Sequence, residues 1–553
     1  MNFKNKPFLF FLFWLLISLV QAACTRLTSD EGYYWFYTQH LQWGYYDHPP
    51  LTALMIKLGY SVFQNELGVR LLNVLVTSAS FLLLFKLIPE NLRQKNFTFL
   101  VLLSQPLLHY FSIIVFPDGP LLFFSLLFLL GYKRLTEKND AQSALLLGLS
   151  LAGMFYSKYH GVLVLVFTVL SNFSLLKSKW FWLSLLIPFA LAIPHVWWQY
   201  ENGFPTLQYH LQGRVSGFSL KFVGEYISQQ IPAIGPLFLI AAFAWRRQNQ
   251  FEKTLKFIAI GTITFFLFTS FRGFVHFHWT SVALFPMVLL AVNYYQERKK
   301  LFYWLAIPFL IVIVLFRIHI VYPFLPFKQR DAGYYHNRDL WAKDVAQLAG
   351  GRPVLFIQDF REAGLYTFYT HQMAVALFGG DKRKTQYDLW HYEDSLQGKD
   401  VLMIQKRNFP GCSELQSRLG KTVYYQPRPH FESYYSIPVK VKLSELAKDS
   451  LEIEIVNNRT TALLFPAGSS GNQPVLFYQV KNNAGEIVKT DTLKVFSEKD
   501  KIAVGAAAVY HFSFPVHELG DGKYNIEIGF LLDVLPPSFN SAEKKFIIRR
   551  NEK

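Results

Sequence analysis

The chain has 553 residues, 52% of them hydrophobic and 17% aromatic, with 54 Phe and only 17% charged residues, a make-up that excludes an ordinary soluble protein. Its net charge of +17 is accounted for first by basic loops beside a membrane and by anionic membrane lipids, which leaves no need for nucleic acid as a partner. Cys24 and Cys412 are the only cysteines, too few and too far apart for a zinc site or a disulfide framework.

Lys4 and Lys6 precede an apolar run from Pro7 to Val20, the form of a cleavable signal peptide as well as of a first spanning helix. The uncleaved helix is expected, because the rest of the chain needs an odd number of crossings. Stretches of spanning length run over 7–23, 69–89, 97–116, 119–135, 142–157, 160–176, 180–198, 226–245, 254–271, 278–295 and 301–320. Eleven crossings are therefore expected. Basic residues gather on every second connection, as in Lys86/Arg93/Lys95, Lys133/Arg134/Lys138, Lys177/Lys179, Arg246/Arg247/Lys253/Lys256 and Arg298/Lys299/Lys300. The positive-inside rule makes these cytoplasmic and sends the alternate connections, and everything after Tyr322, outward.

The first outward connection carries Ser29-Asp30-Glu31-Gly32-Tyr33-Tyr34-Trp35 and then Gly44-Tyr45-Tyr46-Asp47-His48-Pro49-Pro50-Leu51. Adjacent carboxylates and an Asp-His pair stiffened by two prolines, set among Tyr and Trp rings, suit a sugar: its apolar faces stack and its hydroxyls need acceptors. Aromatic residues also gather at membrane interfaces for purely structural reasons, but an acid such as Asp30 at that boundary points to function. Further outward are Pro117-Asp118-Gly119, Ser157-Lys158-Tyr159-His160 and His276-Phe277-His278. Lys158, Arg214, Lys221 and Arg272 are the candidates for holding an anion, and with Asp118 and His278 they describe one outward polar cavity.

Beyond Tyr322 the pattern changes. Short apolar runs at 354–357 and 401–404, with helical stretches between them, predict a small α/β subdomain. Alternating strands such as 439–443 and 451–455, with turns at 482–485 and 520–522, predict an antiparallel β-sandwich. The expected division is 1–322, 323–430 and 431–553.

In their order and spacing, Ser29 to Trp35, Gly44 to Leu51, Pro117 to Phe124, Ser157 to Gly161, Gly203 to Leu207 and His278-Trp279-Thr280 resemble the bacterial branch of the dolichyl-phosphate-mannose protein mannosyltransferase family, related to the enzymes that add aminoarabinose to lipid A. Gln386-Tyr387-Asp388-Leu389-Trp390 is similar to a further element of that branch. The resemblance covers about residues 7–320. It implies a GT-C glycosyltransferase: a multi-spanning enzyme that takes a sugar from a polyprenyl-phosphate carrier on the outer side of the bacterial inner membrane and passes it, with inversion, to an envelope acceptor.

By the family pattern Asp30 is the catalytic carboxylate and Glu31 its neighbour in the catalytic pair. From the sugar-binding texture of the outward loops, Tyr33, Tyr34, Tyr46, Asp118 and His278 are expected to line the substrate. The relatives carry Glu-Lys before Pro-Pro, where this chain has Asp47-His48, and that lysine holds the donor phosphate. Its replacement by His48 leaves Lys158 and Arg272 as substitutes, or a divalent metal ion held by Asp47 and His48. The residues agree with the chemistry. An inverting transfer needs a base such as Asp30 for the acceptor proton, and a phosphate leaving group needs charge stabilisation more than a general acid. A lipid-linked sugar flippase is the alternative, although it would place its key charges nearer the bilayer midplane. A membrane anchor that merely presents the β-sandwich is a third reading.

Overall fold

The computed structural model describes residues 5–211, 218–325, 334–378, 384–443, 450–465, 473–497, 499–532 and 534–548. The chain falls into two compact units: Met1–Lys343 with Gly364–Thr370 and Arg418–Lys421, and Asp344–Ala363 with His371–Ser417 and Thr422–Lys553. The expected pieces 323–430 and 431–553 thus fall mostly within one unit.

The first unit is helical. It opens with α1 (Lys6–Cys24), α2 (Ser29–Phe36), α3 (Leu51–Val62) and α4 (Glu66–Leu87). There follow α5 (Glu90–Arg93), α6 (Asn96–Leu103), α7 (Pro106–Ile113), α8 (Asp118–Lys138), α9 (Ala141–Ser157) and α10 (Val162–Ser171). The series closes with α11 (Lys179–Glu201), α12 (Pro205–Leu211), α13 (Leu220–Ile234), α14 (Pro236–Ala244), α15 (Gln250–Ser270), α16 (Leu284–Tyr295) and α17 (Lys299–Val321).

Every one of the eleven apolar stretches falls on helical segments, and the chain is a multi-pass membrane protein. Their continuity differs from expectation. Five described stretches are long and apolar enough to span as single helices: Lys6–Cys24, Glu66–Leu87, Lys179–Glu201, Phe277–Tyr295 and Lys299–Val321. Two bent pairs, α7 with α8 at 119° and α13 with α14 at 95°, raise the number to seven. The cause is local. Pro106 lacks the N–H that would continue a helix, so stretch 97–116 divides into α6 and α7. Gly235, at φ 88°, and Pro236 break stretch 226–245 in the same way, and the Gln105 amide donates to the freed carbonyl of Ile234 at 2.9 Å.

α18 (Arg338–Ala349) and α19 (Phe360–Thr370) each run across the division between the units. The second unit begins with a five-stranded sheet of β1 (Val354–Ile357), β2 (Ala374–Leu377), β3 (Lys399–Gln405), β4 (Ser413–Gln416) and β5 (Thr422–Phe431), in the order β2-β1-β3-β5-β4. β1 lies parallel to β2 and β3, which are buried apolar runs, whereas β5 and β4 continue the sheet antiparallel. Then come β6 (Val439–Lys442), β7 (Ser450–Val456), β8 (Leu463–Leu464), β9 (Val475–Asn482), β10 (Ile487–Val495), β11 (Lys501–Ile502), β12 (Ala507–Ser513), β13 (Gly522–Leu531), β14 (Ser538–Phe539) and β15 (Lys544–Ile548).

Sheet β12-β7-β6 and sheet β10-β9-β13-β14, to which β15 adds along β13, share one core that includes Ile453, Ile455, Leu476, Val480, Ile526 and Ile528. The alternation in β7 explains the packing. Leu451, Ile453 and Ile455 face the core, while Glu452 and Glu454 turn out to pair with Lys442 and Lys440 on β6. Where this sandwich follows the α/β sheet, Arg459 lies 3.5 Å from Asp394, 3.8 Å from Glu432 and 3.9 Å from Glu393. Burial pushes the Glu393 carboxyl up to about 7 and that of Asp388 up to about 6.

Candidate active site

Thr28 closes the N-terminus of α2 with a capping box. The Glu31 N–H donates to its hydroxyl, and its own N–H donates to Glu31 Oε2 at 2.9 Å. The same carboxylate accepts from Arg70 Nε and Nη2, both at 2.7 Å, and from the Val115 N–H at 3.0 Å. Arg70, on α4, also donates to the carbonyls of Ala22, Thr25 and Arg26. Both side chains are 0% exposed. Glu31 therefore ties α2 to the end of α1, to α4 and to the loop before Asp118, and its oxygens are taken up by fixed donors.

Asp30, one residue earlier, is half-buried and accepts from the Tyr334 hydroxyl at 2.8 Å. Arg338 Nη2 donates to Ser29 at 3.0 Å. On the far side of α2 a Cβ on Gly32 would lie 2.7 Å from the Leu365 backbone, and one on Gly364 would lie 2.7 Å from the Gly32 carbonyl. Glycine at both positions lets α2 and α19 touch backbone to backbone.

The aromatic residues form the scaffold around this helix. Tyr37 donates to Asp47 and stacks on Tyr45 with centroids 4.2 Å apart and planes within 3°. Tyr33 packs edge-on against Tyr37 at 4.8 Å, and Tyr46 packs against Tyr209 at 5.7 Å, so both are buried. A Cβ on Gly44 would stand 2.4 Å from the Trp198 ring. The loop is pinned there by His195, whose Nδ1–H donates to the Trp43 carbonyl at 2.6 Å while Nε2 accepts from Tyr159 at 2.8 Å.

Tyr34 is the meeting point. Its hydroxyl lies 3.4 Å from His48 Nε2, and its ring is edge-on to His48 at 5.4 Å and to Phe116 at 6.1 Å. Burial, followed by the charges of Asp30, Asp47 and Asp118, raises this phenol well above its usual range, so it stays protonated beside three carboxylates. Burial likewise lowers His48 below the usual imidazole range, against the opposing pull of Asp47. That shift favours the neutral imidazole.

Phe116 leads on to His278, ring to ring at 5.2 Å, and to the buried Asp118 at the start of α8. Lys158 Nζ lies 2.9 Å from both Asp118 oxygens. His278 Nδ1–H donates to the same carboxylate at 3.2 Å and Ser281 at 2.6 Å, with Lys158 Nζ 3.3 Å from the His278 nitrogen. A Cβ on Gly119 would meet Asn73 Oδ1 at 2.1 Å, so the Asp-Gly pair lets α8 start tight against α4.

The structure thus brings Asp30, Asp47, His48, Asp118, Lys158 and His278 around Tyr34. Arg272 and Lys221 are exposed, and Arg214 lies outside the described residues. Asp47 is engaged by Tyr37, and among the described residues no group of three or more His, Cys, Asp or Glu could hold a metal ion. Asp47 and His48 are thus two donors without a third His, Cys, Asp or Glu gathered beside them among the described residues, fewer than a protein-held divalent ion takes. Tyr37, Arg70, His195, Ser281 and Tyr334 were not foreseen. Only Arg70 left a trace in sequence, a lone arginine within an apolar stretch.

The profile of the dolichyl-phosphate-mannose-protein mannosyltransferase family matches residues 47–198. A lipid A galacturonosyltransferase, RgtD of Rhizobium johnstonii, is 25% identical over an alignment of 301 residues that covers 51% of this chain. The chain spans 63% of that relative's length. Crystal structures of ArnT from Cupriavidus metallidurans superpose with a TM-score of 0.53 at 15% identity. The apo form covers 75% of this chain and 97% of its own, and the form bound to undecaprenyl phosphate covers 77% and 98%. These likenesses bear out the resemblance read from the sequence, and the fold is that of the GT-C glycosyltransferases.

Proposed function

We propose that the chain moves a sugar from a polyprenyl-phosphate donor to an acceptor in the cell envelope, at the outer face of the inner membrane and with inversion. The observation that carries this reading is the gathering of Asp30, His48 and the Asp118–Lys158–His278 cluster around Tyr34, on a wall of fixed aromatic rings. Asp30 is the half-buried carboxylate of this group and takes the proton of the acceptor hydroxyl as that oxygen attacks the anomeric carbon. The bond from that carbon to the phosphate oxygen breaks, its electrons leave with the polyprenyl phosphate, and Asp30 returns its proton to water. Lys158, steadied by Asp118, with His278 beside it, supplies positive charge to the departing phosphate. His48 and Tyr34 offer neutral hydrogen bonds, and Tyr33 and Tyr46 support the wall from behind. Glu31 acts as a positioning residue through Arg70.

The relative that modifies lipid A makes a lipid-linked saccharide the first acceptor to test. Envelope lipids of cells with and without the protein, compared by mass spectrometry, should differ by one sugar residue, restored by the wild-type chain and not by Asp30→Asn. Unchanged envelope saccharides together with altered export of the carrier-linked sugar would instead favour the flippase.

A further inference from the structure

A second polar cluster lies away from Tyr34, between α1, α7 and α17. Trp14, Ser18 and Gln21 fall at i, i+4 and i+7 and form one buried stripe on α1. Arg317, near the end of α17, donates from Nε to Gln21 Oε1 at 2.6 Å, and its own carbonyl accepts from Gln21 Nε2 at 3.0 Å. Arg317 Nη1 donates to His109 Nδ1 at 3.1 Å, which leaves His109 Nε2–H to donate to the Leu103 carbonyl at 2.8 Å. The guanidinium carbon stands 5.7 Å from the Trp14 ring centre, and Trp14 packs on His109 at 4.7 Å.

Three donors here remain unsatisfied. Arg317 Nη2, Trp14 Nε1 and Ser18 Oγ are buried and have no hydrogen-bond partner among the described residues. Arg317 is 9% exposed, Trp14 1% and Ser18 0%, and among the described residues no carboxylate pairs with the guanidinium. A buried cation without a counter-ion and two further unmet donors are costly inside a spanning helix bundle. All three lack the same thing, an acceptor, and the one charge present asks for an anion. Arginine beside an indole N–H and a hydroxyl matches an anion with several oxygens better than a single-atom ion.

We propose that Trp14, Ser18 and Arg317 form a second anion site, which takes a phosphate group carried by a membrane lipid or free in solution. Gln21 and His109 hold the guanidinium in place, and the phosphate oxygens satisfy the three open donors. Protein covers these atoms, so binding goes with side-chain movement between the middle of α1 and the end of α17. The site does not rest on the transfer reaction, since it shares no residue with the Tyr34 site.

The test uses the full-length protein, delipidated in detergent and examined by native mass spectrometry with dioleoylphosphatidylglycerol or dioleoylglycerol, which lacks the phosphate. One phosphatidylglycerol per chain should be retained with about tenfold preference over dioleoylglycerol, and Arg317→Met should abolish that preference. Ser18→Ala with Trp14→Phe, which keeps the charge and removes only two donors, should weaken it severalfold and decides the matter if Arg317→Met does not fold. A rise in melting temperature with inorganic phosphate, lost in both variants and unaccompanied by a lipid preference, assigns the site to the free ion. If neither lipid preference nor phosphate response differs between wild type and the Ser18/Trp14 variant, Arg317 is a structural residue and the site does not exist.

Discussion

Asp30 and Glu31 are neighbours in sequence with opposite surroundings. Asp30→Asn keeps the shape and removes the base, so folding should survive and turnover by purified protein with a polyprenyl-phosphate sugar should fall about 10²- to 10⁴-fold. Glu31→Gln leaves the buried Arg70 without its carboxylate, a loss of roughly 3–5 kcal/mol. It should appear as low folded yield and early thermal unfolding before any specific change in catalysis. For the donor phosphate, the paired change Lys158→Gln with Asp118→Asn removes both charges of the buried pair and leaves no orphan. It should weaken donor binding, measured by calorimetry, at least tenfold, whereas His48→Gln, a neutral group for a neutral group, should change it by no more than about threefold. The sequence showed that acids gather here but not which one is anchored. The Thr28-x-x-Glu31 spacing has the form of a capping box and could have singled out Glu31, whereas the pairings of Arg70 and Tyr334 with carboxylates 39 and 304 residues away leave no local pattern.

At the level of elements, apolarity found every helical stretch that matters for crossing, because each must bury its backbone bonds internally. It missed the breaks, which depend on single residues, and α3, which is apolar but has only 12 residues. Pro106, Gly235 and Pro236 were visible, yet a hydropathy count averages over them. Glycines carry the close approaches. Gly44→Ala would drive a methyl group into the Trp198 ring and shift the whole Asp47-His48 loop, an overpacking cost of about 1–3 kcal/mol. A lower melting temperature and reduced donor affinity in the same variant would support this, and a fully active, equally stable variant would contradict it.

On the scale of the molecule, the part after Tyr322 was legible as α/β followed by alternating strands, since the pattern of each strand reports its own burial. How the pieces share contacts was not. The Arg459 cluster gives the second unit a pH response. Folded Glu393 keeps its proton up to about 7, while its ordinary value is 4.5, so between these values the folded state binds the extra proton. Stability is then complete below about 4.5 and falls as pH rises towards 7, by roughly 2–3 kcal/mol. Amide exchange in β7 of the full chain, corrected for the intrinsic pH effect, should quicken across that window, and Glu393→Gln should flatten it. Reporter fusions after Lys95 and after Val321 should lie on opposite sides of the membrane, and the same side for both would remove the proposed orientation.

The glycine crossing of α2 and α19 ties a segment from between two strands of the α/β sheet to the helix that carries Asp30. Residues 364–370 lie in sequence between β1 and β2, yet they back the helix that carries Asp30, and the Tyr369 hydroxyl accepts from the Leu27 N–H at 2.8 Å just before that helix begins. A membrane half ended at 343 would keep every carboxylate of the site and have nothing behind Gly32. Excising or exchanging the segment after 343 should therefore read out as lost turnover in a protein still inserted in the membrane.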